Sequence, residues 1–131
     1  MIVVDASAII ELLFRSPLGA RVEARLFDSA AALHAPQLLD VEVIQVLRRF
    51  ESRGELTSRL GAEALRILEA MPMPRHPHEP LVQRIWSLRA NLTAYDGVYV
   101  ALAEALGAVL VTCDVRLGRS PGLRASVDVL S

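Results

Sequence analysis

The sequence predicts an α/β layer fold, with a mostly parallel central sheet and helices on both faces. Three observations predict it: short β-branched runs at 2–4 and 108–112, helical apolar stretches between them, and an acid close behind each run. Hydrophobic residues make up 53% of the 131 and charged residues 22%, which excludes a disordered chain and provides for a buried core. No second block of contrasting composition is present, so a single domain over 1–131 is expected.

Ile2, Val3 and Val4 read as a central strand that ends at Asp5-Ala6-Ser7. Ile9, Ile10, Leu12, Leu13 and Phe14 follow on a helix that Ser16-Pro17 stops. A second helix is expected over 18–27 and a small strand over 31–35. From 36 to 50, Leu39, Val43, Val46, Leu47 and Phe50 share one helical face, with Glu42 about 75° from its centre. Gly54 ends that helix, and Thr57 caps another to 71 with Leu60, Ala64, Leu65 and Leu68 inward.

Pro72, Pro74, Pro77 and Pro80 make 71–80 an extended or edge piece. A linker there would leave the helices on either side without a complete core. Helices are expected over 81–90 and 94–106, with Gly107 as the stop, then strands over 108–112 and 127–130.

In open parallel sheets, ligands bind beyond the carboxyl ends of the strands. Asp5 and Asp114 both stand at such ends, and Glu42 and Asp96 each lie near the start of a helix that can pack beside that edge. Four converging carboxylates repel one another and resist desolvation, a conflict that a hard divalent cation resolves. Oxygen-only donors select Mg²⁺ or Mn²⁺ over zinc, and such a site suits hydrolysis of a phosphodiester.

Each acid has a bland alternative. Asp5 can be a turn-former and cap, Glu42 a solvated shoulder residue, Asp96 part of a capping box with Thr93, and Asp114 the opener of the turn before Leu117. Only the joint pattern favours function. Ser7 and Thr112 flank the strand-end acids and suit orienting a carboxylate or water.

The net charge of −1 excludes a general polycation for duplex DNA, although all 14 basic residues are Arg. Lone Cys113 forms no intrachain disulfide, and no Cys/His spacing matches a zinc site, in keeping with a reducing cytoplasm. Met1-Ile2-Val3-Val4-Asp5 is not a signal peptide, and Asp5, Glu11 and Glu104 interrupt any membrane-length run, so no membrane association is expected. His34, His76 and His78 read as structural or surface groups. Trp86, Tyr95 and Tyr99 read as core or interface residues, with base stacking a minor alternative. Residues 118–122 read as a turn, not a phosphate loop.

Four segments carry a family resemblance: Ile2-Val3-Val4-Asp5-Ala6-Ser7-Ala8, Ala35-Pro36-Gln37-Leu38-Leu39-Asp40-Val41-Glu42-Val43, Leu92-Thr93-Ala94-Tyr95-Asp96-Gly97-Val98-Tyr99-Val100-Ala101-Leu102-Ala103 and Leu110-Val111-Thr112-Cys113-Asp114. In that order and spacing the chain resembles PIN-domain ribonucleases, specifically VapC-type toxins of toxin-antitoxin pairs. The resemblance implies a PIN-like three-layer α/β/α fold, with Asp5, Glu42, Asp96 and Asp114 around Mg²⁺ or Mn²⁺. Asp5 and Asp96 match the acids that touch metal most directly, Glu42 and Asp114 complete the shell or orient water, and Ser7 and Thr112 stand behind them.

The resemblance also implies RNA cleavage, a homodimer and inhibition by a cognate VapB-type antitoxin. Arg48, Arg49, Arg116 and Arg119 are the candidates for holding RNA. Some members carry a further acid soon after the last Asp, whereas Val115, Arg116 and Leu117 follow here, so the number of metals stays open. Asp40 points about 160° away from Glu42 on a helix and is left out of the site. The alternatives are a non-catalytic PIN-fold module binding RNA or antitoxin, and a phosphoaspartyl hydrolase. Ser7 and the absence of lysine fit the latter badly.

Overall fold

The β-branched run at the N-terminus becomes the middle of the sheet, where both faces need apolar side chains. In the computed structural model, which describes residues 1–131, β1 (Ile2–Val4) lies between β2 (Leu33–Pro36) and β4 (Val109–Thr112). The strands β3 (Arg75–His76) and β5 (Val127–Val129) form the edges, giving the order β3-β2-β1-β4-β5. Ile2 stands opposite Leu33 and Val109, and every pairing is parallel. The order in which strands are added reverses between β1 and β4, so the switch point lies beside the ends that carry Asp5 and Asp114.

Seven helices connect the strands: α1 (Ala6–Leu13), α2 (Pro17–Phe27), α3 (Leu38–Ser52), α4 (Ser58–Ala70), α5 (Val82–Ser87), α6 (Ala94–Leu106) and α7 (Val115–Arg119). The crossovers from β1 to β2 to β3 run one way along the sheet, and the return to β4 and β5 runs the other. Right-handed connections therefore put α1 to α4 on one face and α5 to α7 on the opposite face. Packing agrees: α3 and α4 lie against α1, whereas α6 covers β1, β2 and β4 and carries α5.

Val98 to Ala103 are all buried, so α6 is the central helix of its layer. Thr93 caps its start through the Asp96 N–H (3.1 Å), and Gly107 ends it at φ 63°, a conformation that suits glycine. The helices α1 and α2 meet so closely at Gly19 that a Cβ there would run into the Glu11 backbone carbonyl.

Several expectations need correction. Leu60, expected inward, is exposed and lines an apolar groove with Phe14, Phe50 and Ile67, because it sits in the first turn of α4 where the other layer offers no cover. The helix expected over 81–90 shortens to α5, preceded by a 3₁₀ turn at Glu79–Leu81 that Pro80 favours. Trp86 and Tyr95 are exposed rather than core, since the inward positions beside them are taken by Ile85 and Asp96. Residues 118 and 119 close α7 instead of forming a turn, with the side chain of Asp114 capping that helix.

Candidate active site

The end of β1 aims Asp5 out of the sheet edge. Asp5 is 7% exposed and is the N-cap residue of α1, yet its carboxylate makes no cap bond. Ser7 Oγ and Thr112 Oγ1 both donate to its Oδ2, each at 2.7 Å. Their own oxygens accept the N–H groups of Cys113 and Asp114, each at 3.0 Å. The two hydroxyls thus tie the ends of β1 and β4 together around one carboxylate, and Oδ1 is left without a hydroxyl donor.

Glu42 projects from α3 and accepts the Tyr99 hydroxyl of α6 at 2.6 Å. Tyr99 is 1% exposed, so its phenol needs a partner, and the two helical layers meet in this bond. Asp96 lies one turn before Tyr99 on the same helix. Asp114 is held by Arg116, whose backbone N–H donates to Oδ1 at 2.9 Å and whose guanidinium reaches Oδ2 at 3.2 Å.

Asp5, Glu42, Asp96 and Asp114 line one cleft of about 430 Å³, together with Ser7 and Arg49. Burial pushes Asp5 above the usual carboxylate range, against the pull of the Ser7 and Thr112 hydroxyls, and Asp114 adds repulsion. Burial also raises Glu42, with Tyr99 opposing and Asp5 and Asp96 reinforcing the rise. Asp96 is raised by burial, then by the charges of Asp5 and Asp114. Asp114 alone is lowered, by its bonds to Arg116.

The quartet is gathered but not closed: as placed, no three His, Cys, Asp or Glu groups stand close enough to hold a metal ion. The donors are nonetheless all oxygen, with Asp5 buried and the other three acids partly covered. Such a set fits a hard divalent ion.

Among the other sequence candidates, Arg49 shares the cleft, whereas Arg48 opens onto a separate concavity with Leu47 and Glu51. Arg116 is exposed and engaged with Asp114, and Arg119 is exposed at the end of α7. Asp40 pairs with Arg75 at 3.0 Å and takes no part in the cleft. His34 Nδ1 meets His76 Nε2 at 2.9 Å across β2 and β3, and His78 accepts the Leu38 N–H at 3.0 Å, so the histidines serve the sheet edge. Tyr99 as a partner of Glu42 was not anticipated. Its signal was a tyrosine three residues after Asp96 in an otherwise apolar run.

Residues 2–123 match the family model described as PIN domain. The chain is 41% identical over 131 residues to Ribonuclease VapC12 of Mycobacterium tuberculosis, covering 100% of both. It is 42% identical over 130 residues to VapC ribonuclease Mb0985 of Mycobacterium bovis, covering 99% of this chain and 98% of that one. Among solved structures, VapBC2 from Rickettsia felis, bound to a DNA fragment from its promoter, matches with TM-score 0.75 at 13% identity over 100% of both chains. Mycobacterium tuberculosis VapC20, a sarcin-ricin loop cleaving toxin, matches with TM-score 0.69 at 15% identity, covering 91% of this chain and 94% of that one. At such identities the structural matches speak for the fold.

Proposed function

The chain belongs to the PIN-domain family, among its VapC ribonucleases, and from that premise we propose that its acidic cleft is a divalent-metal-dependent endoribonuclease centre neutralised by a cognate VapB-type antitoxin. One observation carries the reading: four carboxylates from four separate elements line a single cleft at the switch point of a parallel sheet.

Asp5 and Asp96 would hold Mg²⁺ or Mn²⁺ most directly, with Glu42 and Asp114 completing the site or orienting water. When bound, the ion would supply charge neutralisation at the phosphodiester and a more acidic water. Ser7 and Thr112 fix the Asp5 carboxylate through Oδ2, and Tyr99 fixes Glu42, so neither acid has to be ordered when substrate arrives. Arg49 stands where it can meet RNA phosphate, and Arg48, Arg116 and Arg119 lie on surfaces reachable by a longer strand.

The apolar groove of about 460 Å³ at Phe14, Phe50, Leu60 and Ile67 supports the antitoxin, since an amphipathic helix would cover it. Exposed Val41 and Ile44 on α3 support a homodimer. No helix is long and apolar enough to cross a membrane. Cytoplasmic action on cellular RNA belongs to the same reading.

The test is cleavage of total cellular RNA by the chain and by Asp5→Asn, with Mg²⁺, Mn²⁺ or chelator. Discrete fragments that vanish with chelator and with the variant are expected. Undiminished metal-dependent cleavage by a clean preparation of Asp5→Asn would remove the cleft from the mechanism.

A further inference from the structure

The surface next to the acidic cleft carries an aromatic group that the proposed catalysis does not use. The helix α5 packs against the first turns of α6 at Gly97, where Ile85 would lie within 3.5 Å of a Cβ. That close approach brings Trp86 and Arg89 beside the turn that holds Asp96. Trp86 is 64% exposed, the largest apolar ring on the surface. The Arg89 guanidinium lies 4.3 Å from its ring centroid and also donates to the Trp86 carbonyl at 2.9 Å.

An exposed tryptophan is costly to hydrate, and a cation stacked on it holds the ring in one orientation. Arg89 makes none of the ion pairs of the molecule, whereas neighbouring Arg84 is committed to Glu104 at 2.7 Å. The feature therefore presents a fixed π-face and an unpaired cation together, which is the complement of a nucleotide with its base and phosphate. Trp86, Arg89, Val82, Ile85 and Ala94 line a concavity of about 270 Å³, small for a whole ligand but fitting for one ring system.

The concavity and the cleft meet the same first turn of α6. Ala94 lines the concavity, and the next two residues, Tyr95 and Asp96, line the cleft of the four acids. Tyr95 is itself 63% exposed. A strand with its phosphate among the acids and running over this turn would pass Tyr95 on its way towards Trp86.

We propose that Trp86, held by Arg89, is a stacking platform for an unpaired RNA base flanking the cleaved phosphate, so that α5 takes part in choosing the site of cleavage. The proposal rests on the ribonuclease reading above. Single strands suit such a platform, because a base in a duplex has no free face to offer.

Trp86 is the only tryptophan of the chain, so its emission reports the contact directly. The experiment titrates full-length Asp5→Asn protein, which does not consume its ligand, with a fluorescein-labelled single-stranded RNA pool of random sequence. RNA anisotropy is read in parallel with tryptophan emission from an unlabelled pool. Saturable quenching at the concentrations that raise anisotropy is expected, with little effect from blunt duplex RNA. Adding Trp86→Ala should weaken binding about 5- to 150-fold, while Trp86→Phe should restore most of it. In the active chain, Trp86→Ala should raise KM more than it lowers kcat.

RNA that binds without quenching, and equally well to Trp86→Ala, overturns the platform and leaves the ribonuclease reading standing. Emission that shifts with protein concentration but not with RNA overturns it in favour of contact between two copies. No RNA binding by any form overturns the ribonuclease reading, and the platform with it.

Discussion

Asp96 shows how a single side chain of the proposed centre would trade stability for function. Burial first, then the charges of Asp5 and Asp114, hold it above its ordinary value of 3.8. An acid raised in this way binds its proton more tightly in the folded chain, so folding loses stability as pH climbs through the raised value. Asp96→Asn removes that penalty. In chelator at neutral pH the variant is expected to melt above the parent, with the gap closing as pH falls towards 3.8, and to lack RNA cleavage. Thermal melts across pH check it, and a variant that melts lower at neutral pH would show that the carboxylate is stabilised where it stands. At this scale the acids themselves were legible, because a strand that stops at Asp5 or just before Asp114 leaves a carboxylate at the sheet edge. The bland alternative held for Asp114, which does cap α7, and failed for Asp5, whose carboxylate is taken by two hydroxyls from different strand ends. Contacts of that kind, like Tyr99 with Glu42 across 57 positions, have no local signal to read.

Elements followed the sequence wherever a boundary residue carried its own chemistry. Thr57 and Thr93 cap α4 and α6, Gly107 ends α6, and Ser16-Pro17 separates α1 from α2. The proline segment did become an edge strand, since β3 pairs with β2 only at Ala35–Arg75 and Pro36–His76. Periodicity was a poorer guide where a helix end extends past its neighbours. Leu60 has the right spacing for burial but nothing above it, and α5 stops at Ser87, short of the expected end. The contact between α1 and α2 gives the clearest test of packing between elements. Gly19→Ala would push a methyl into the Glu11 carbonyl, a backbone group that cannot rotate away. A loss of about 1–3 kcal/mol is expected from denaturant midpoints, typical of overpacking. An unchanged midpoint would mean that α2 slides on α1 without penalty.

For the whole molecule, the raised acids predict a coupling between ion binding and folding. Mg²⁺ at about 100 times its Kd is expected to add about 2.7 kcal/mol to the unfolding free energy, and chelator to remove it. Calorimetry on the chain and on Asp5→Asn checks this, the variant showing a smaller shift. A melting temperature indifferent to Mg²⁺ and Mn²⁺ at millimolar levels would set aside the proposed ion. The overall α/β layering was legible because the connections alternate between short apolar strands and amphipathic helices. That the sheet is wholly parallel, with β4 inserted beside β1, could not be read from local patterns, as strand order depends on which faces the helices finally cover.

That strand order also sets a clock on synthesis. As the chain leaves the ribosome, β1, β2 and β3 can assemble with α1 to α4, and Asp5 and Glu42 then lie within the finished portion. Thr112 and Asp114 are still to come, and until β4 docks beside β1 the Asp5 carboxylate lacks one of its two hydroxyl donors. On the proposed reading, the nascent polypeptide would carry an incomplete centre until β4 has docked, and could cut RNA only after that.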